Sequence, residues 1–143
     1  MDKILSGAKK ISVYDLLAIS IGIVYLWFGA LKFIPGVSPA ERLAENTIDA
    51  LFFGLIPSNV SVILLAVWEV LIGILLILNV YKRFGIILAL IHMGFTFTPL
   101  FLFPDLSFTH PPFEFTIIGQ YIVKNLIIVC ALLILLKEAP TKV

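Results

Sequence analysis

The sequence predicts an all-α membrane protein: a four-helix transmembrane bundle with a short interfacial helix between the first and second spans. Three observations predict it. Of 143 residues, 61% are hydrophobic and only 13% are charged, and the mean hydropathy is +1.13. A soluble domain of this size leaves about a third of its unfolded-chain surface in water, so it cannot hide that much apolar area. Four apolar runs, each about 20 residues long as a bilayer crossing requires, are separated by proline or polar breaks. The basic residues fall in alternate loops, as they do in multi-pass proteins. The length suits one domain over residues 1–143. A formal net charge of +1 gives no reason to expect nucleic acid as a partner. Cys130 is the only cysteine, which excludes an intrachain disulfide or a CxxC redox pair.

The first run, Val13–Ile34, reads as a retained helix, because Phe33-Ile34-Pro35-Gly36 is a poor signal-peptidase site. In the next segment, Ser38-Pro39-Ala40-Glu41 supplies a capping hydroxyl, a first-turn proline and a glutamate three residues after the cap. Leu43, Thr47, Ile48, Leu51 and Phe52 then recur at helical spacing, with Arg42, Glu45 and Asp49 on the other face. That pattern predicts a helix in the outer interface, with a lid over the bundle as the alternative. The remaining runs are Asn59–Leu78, Phe84–Phe103 and Phe115–Leu136. The segment from Pro104 to Glu114 is aromatic and stiffened by proline. It either anchors helix ends at the interface or rims a cavity. Lys3, Lys9, Lys10, Lys82, Arg83, Lys137 and Lys142 all fall on one side, which predicts that both ends are cytoplasmic.

Polar residues recur on the faces that should pack. The first helix carries Ala18, Gly22, Tyr25, Gly29 and Lys32 at 4-3-4-3 spacing, and the third carries Gly85, Ala89, His92, Thr96 and Pro99. The second has Val62, Ala66, Glu69 and Gly73. The fourth has Thr116, Gln120, Lys124, Ile127 and Ala131 at a looser 4-4-3-4. Alternating fours and threes keep residues on one seam of a left-handed bundle, and small residues there bring helices close.

An ionisable group deep in a span costs about 2.5–3.5 kcal/mol on insertion scales and needs a partner or a wet cavity. The simplest partner for each of Glu69 and Lys124 is the other, and the sequence leaves open whether they touch. Lys32 lies near the outer end, where it either snorkels to headgroups or faces inward. His92 is either a proton carrier or a neutral histidine bonded to a neighbouring helix. With no second histidine at ligand spacing, a metal site is not expected. If both lysines face inward, Glu69 balances only one. Then a lysine is neutral, an outer carboxylate such as Glu114 folds in, or the site awaits an anionic or electron-rich ligand. Tyr25 and Trp68 lie beside this stripe and could line a pocket for a flat ring, opening outward.

Trp27-Phe28-Gly29-Ala30-Leu31-Lys32-Phe33, Trp68-Glu69-Val70-Leu71-Ile72-Gly73-Ile74-Leu75-Leu76, Tyr81-Lys82-Arg83 and Gly119-Gln120-Tyr121-Ile122-Val123-Lys124-Asn125 together resemble the DoxX-like superfamily of small bacterial four-helix membrane proteins. The likeness runs from about Ala18 to Leu136. It implies the four-helix fold, and it places Lys32, Glu69 and Lys124 within family-like motifs; His92 matches none. Functionally the superfamily is mixed: a quinone-linked subunit of a thiosulfate-oxidising enzyme, partners of soluble redox proteins, and assembly or cargo factors. The expectation is an accessory subunit of a membrane redox system that binds a quinone-like ligand and no covalent cofactor. Glu69 and His92 would move protons, and Lys32, Lys124, Gln120, Tyr25 and Trp68 would bind the ligand. The rival is a non-enzymatic assembly or binding factor for a protein client or an anionic small molecule. The sequence leaves open whether the chain is an enzyme and whether it forms a homo-oligomer.

Overall fold

The computed structural model describes residues 11–38 and 41–139. Lys3, Lys9, Lys10 and Lys142, and the Pro39-Ala40 part of the expected cap, lie outside them. The chain runs as α1 (Val13–Leu31), α2 (Glu41–Leu51), α3 (Ser58–Leu78), α4 (Lys82–Phe97), α5 (Pro99–Leu102), α6 (Pro104–Ser107), β1 (Phe108–His110), β2 (Glu114–Phe115) and α7 (Ile117–Glu138). Four helical stretches are long and apolar enough to cross a membrane: α1, α3, α4 continued through α5, and α7. Only 17% to 39% of each is buried inside the fold, so most of their apolar side chains face outward. That distribution suits a multi-pass membrane protein, whose solvent is as apolar as its core.

Local chemistry explains the helix ends. Ser12 caps α1 by accepting from the Asp15 backbone N–H at 3.0 Å, while the Asp15 carboxylate takes the Ser12 N–H at 3.2 Å. This is a reciprocal cap. At the far end of α3, Asn79 stops the helix in the left-handed conformation (φ 55), which asparagine tolerates better than most residues. The basic α3–α4 turn then ties the termini of the other long helices together. Lys82 Nζ lies 2.9 Å from Asp15 Oδ1 on α1. Arg83 donates to the Leu136 and Ala139 carbonyls at 3.3 and 3.4 Å, the unsatisfied acceptors that end α7.

The most extensive contact is between α1 and α3, and the reason is steric. A Cβ on Gly73 would come within 2.7 Å of the Leu26 backbone nitrogen and 2.8 Å of the Gly22 carbonyl oxygen. One on Gly29 would lie 2.8 Å from Glu69 Cβ. These contacts set the register: Gly29, near the end of α1, stands against the middle of α3. The first turns of α3 therefore extend past α1, and α2 packs on α3 and α5. α4 packs on α3 and α7, with Ile72, Leu76, Ile86, Leu132 and Leu135 fully buried between them.

Pro104 to Glu114 is more ordered than a loop. It forms α6 and an antiparallel hairpin in which Phe108 pairs with Phe115 and His110 with Glu114. The Phe108 and Phe115 rings lie 4.9 Å apart. Thr116 caps α7 through the Gly119 N–H at 3.1 Å, and its own hydroxyl donates to the Leu106 carbonyl at 2.6 Å. Gly119 has no room for a side chain, because a Cβ there would collide with the Ser107 carbonyl oxygen.

Three of the four expected seams are buried: Ala18, Gly22, Tyr25, Gly29 and Lys32; Val62, Ala66, Glu69 and Gly73; and Gly85, Ala89 and His92. The fourth differs. α7 buries Gly119, Ile122, Leu132 and Leu135 and leaves Gln120, Lys124 and Ile127 exposed. The helix sides with its close-packing glycine and large aliphatics rather than with its polar residues.

Candidate functional site

α1, α3 and α4 each place one or two polar side chains on a common interior point. Glu69 comes from the middle of α3, where Gly29 lets α1 approach closely enough for Lys32, the residue that closes α1, to reach it. Lys32 Nζ lies 2.6 Å from Glu69 Oε2, with side-chain exposures of 7% and 9%. The ammonium also meets the Phe28 carbonyl at 3.5 Å. From α4, His92 Nε2 lies 3.1 Å from the other carboxylate oxygen, Oε1. The far side of the imidazole, Nδ1, is 3.2 Å from the Tyr25 hydroxyl, which is also 3.3 Å from the Ala89 carbonyl. Lys32, Glu69, His92 and Tyr25 thus form one continuous hydrogen-bonded chain.

Its geometry satisfies two proton counts. With a neutral imidazole, Nε2–H donates to Glu69 and the Tyr25 hydroxyl donates to Nδ1. With an imidazolium, Nδ1–H donates to the Tyr25 oxygen, and the hydroxyl turns its hydrogen to the Ala89 carbonyl. No heavy atom has to move between these states. Lys32 and Glu69 cancel as charges, so the set carries zero or one positive charge according to His92.

Trp68, next to Glu69, completes the wall. Its ring stands edge-on to His92 at 5.6 Å and to Phe95 at 6.0 Å. Its indole N–H is buried and has no hydrogen-bond partner among the described residues. A buried unpaired donor is costly, about 1–3 kcal/mol, so an acceptor that reached it would be held.

Of the expected site residues, the structure brings together Lys32, Glu69, His92, Tyr25 and Trp68. Lys124 and Gln120 lie elsewhere. The expected Glu69–Lys124 pairing is replaced by Glu69–Lys32, because Lys124 is on the exposed face of α7, where its ammonium sits 5.5 Å from the centre of the Tyr121 ring. Gln120 makes only a long contact to the Phe115 carbonyl at 3.5 Å. Lys32 does not snorkel to headgroups; it turns inward. Glu114 does not fold in to balance charge either, since it pairs with His110 at 2.6 Å on the exposed hairpin. Sequence reasoning missed the Ala89 carbonyl, which has no side-chain signature. It also missed the Lys32–Glu69 match, although Gly29 on the Lys32 seam signalled close approach there.

Two clefts lie outside the cluster. One, of about 350 Å³, is lined by Gly36, Ser38, Glu41, Arg42 and Glu45 near the start of α2. The other, of about 320 Å³, is an apolar groove along α1 lined by residues such as Leu26, Trp27 and Ile34. Neither is lined by Glu69 or His92. Among the described residues no group of three or more His, Cys, Asp or Glu side chains is arranged to hold a metal ion. No family model matches the chain, and neither does any curated protein or solved structure.

Proposed function

We propose that the protein is a four-helix bundle of the bacterial cytoplasmic membrane, acting as an accessory subunit of a membrane redox system that binds a quinone-like ligand. Both ends face the cytoplasm in this reading, because Lys82, Arg83 and Lys137 gather at one end of the long helices. α2 lies toward the opposite interface. The observation that carries the function is the buried Lys32–Glu69–His92–Tyr25 chain. An ionisable cluster inside apolar helices is expensive even when paired, and proton relays are among its known roles.

A quinone, when bound, takes up or gives up two electrons together with two protons; a redox protein partner would exchange the electrons. The fit of this chain to such a group rests on the orphaned Trp68 N–H, a donor suited to a ring oxygen. His92 holds the mobile proton at Nδ1, and Tyr25 accepts or returns the hydrogen bond as it comes and goes. Glu69 fixes the imidazole orientation through Nε2. Lys32 pairs with the carboxylate and holds it in place against α1. Purification in mild detergent followed by mass spectrometry of the lipid-soluble extract tests the reading. The wild type should retain a quinone, and Trp68→Phe and Glu69→Gln should lose it. Extracts holding only phospholipid, or retention unchanged in both variants, would sink it.

A second reading is favoured by a specific feature of the same cluster. Both carboxylate oxygens of Glu69 are already engaged, as suits helix glue in an assembly or binding factor. There the deletion strain would show a lower level of a membrane client, and the purified protein would carry no redox-active molecule.

A further inference from the structure

α7 is the least buried of the four long helices, with 17% of its apolar window inside the fold against 28%, 39% and 33% for the others. Its outward face is also the one that carries a charge. Lys124 lies seven residues beyond Ile117, about 10 Å into the helix at ~1.5 Å per residue. It is exposed, together with Ile117, Gln120 and Ile127, which form a stripe at 3-4-3 spacing. Among the described residues Lys124 has no acidic partner; its ammonium sits over the Tyr121 ring, 5.5 Å from the ring centre. Of the in-span carboxylates, Glu69 is taken by Lys32 and His92 and Asp15 by Lys82, and Glu138 stands at the far end of α7.

From this we infer that the α7 stripe docks a transmembrane helix of a different protein, one carrying an aspartate or glutamate at the depth of Lys124. The inference rests on the four helices crossing a bilayer, but not on the quinone reading. A lysine left facing lipid is costly, whereas an opposite charge on a packed helix removes that cost. Gln120, one turn away, adds an amide that can bond across the same interface. A second copy of this chain does not fit. Two copies insert with the same orientation, so a two-fold contact along α7 would set Lys124 against Lys124. A contact of another kind finds no unengaged carboxylate within the described spans, apart from Glu138 at the far end of α7.

The experiment is photocrosslinking of the full chain in its native membrane. p-Benzoylphenylalanine replaces Ile127 on the stripe, or Trp27 on the exposed face of α1 as control. Adducts are digested and identified by mass spectrometry. Position 27 should give lipid adducts. Position 127 should give an adduct with an apolar helical segment of another protein that contains Asp or Glu, and Lys124→Met should lower its yield about tenfold, as loss of an interhelical polar contact of 1–2 kcal/mol would. Lipid adducts alone at both positions would keep the helices in the bilayer and overturn the docking. A self-adduct at position 127, or a protein adduct insensitive to Lys124→Met, would overturn it too. Failure to label lipid from position 27 would remove the bilayer premise itself.

Discussion

The α1–α3 seam and the outer stripe of α7 each carry a lysine inside an apolar helix, and the protein treats the two in opposite ways. Lys32 is brought against Glu69 by glycines that let the backbones nearly touch. Lys124 has a tyrosine ring beside it and no acid among the described residues. The difference shows that polarity alone does not decide which side of a membrane helix turns inward. Lipid and protein core are equally apolar, so the tightest steric fit wins, and charged residues follow if the fit carries them along. On α1 the close-packing glycines and Lys32 share one face. On α7 the close-packing Gly119 lies one position away from Gln120, and the polar face is left outside.

The sharpest way to break this comparison is to remove Glu69. Glu69→Ala leaves Lys32 buried without its counter-charge, and the loss should be about 3–5 kcal/mol, the usual consequence of breaking one side of a buried pair. Unfolding in detergent or bicelles measures it. The double variant Lys32→Met with Glu69→Leu should recover part of the loss, since apolar replacement of a buried pair is often neutral, while His92 Nε2 stays without its carboxylate. If Glu69→Ala alone were neutral, the pair would not hold α1 to α3. Next in size is Gly73→Ala. Its Cβ would meet backbone atoms of Leu26 and Gly22 within 3 Å, and backbone cannot step aside as a side chain would. Overpacking of this kind costs about 1–3 kcal/mol. It should also pull Lys32 away from Glu69, visible as weaker protection of the cluster in hydrogen exchange.

Much of this was readable from the residues because it depends on length and spacing. The expected run Asn59–Leu78 differs by one residue from α3 (Ser58–Leu78). Seams on α1, α3 and α4 were legible because small residues and polar residues coincide there, so either signal leads to the same face. On α7 the two signals diverge. The polar residues draw attention to Gln120 and Lys124, while Gly119 and the aliphatic Ile122, Leu132 and Leu135 make the contact. The Glu69–Lys124 expectation failed for a related reason. It matched charges by depth along each helix, whereas partners are set by which helices touch, and α1 rather than α7 has the glycines that reach Glu69. The hairpin at Phe108–Phe115 was hidden by its prolines, which read as loop. The Ala89 carbonyl that accepts from Tyr25 had no side chain to announce it.

A smaller effect probes the cluster without breaking its ion pair. Tyr25→Phe removes the hydroxyl that satisfies His92 Nδ1 in both proton states, at a cost of about 0.6–1.7 kcal/mol, the range of interhelical hydrogen bonds in membrane proteins. The smallest effect belongs to the other half of the comparison. Lys124→Leu should leave the unfolding midpoint of the purified protein unchanged, because no polar partner inside the described fold is lost. In an insertion assay on the α7 segment, the same change should favour insertion by about 3–4 kcal/mol if the lysine sits at full membrane depth, and less if it lies shallower. A lowered midpoint would mean that Lys124 has an intramolecular role after all, and the two lysines would no longer be opposites. An unchanged midpoint with improved insertion would define a residue that burdens its own helix and gains nothing within its own fold.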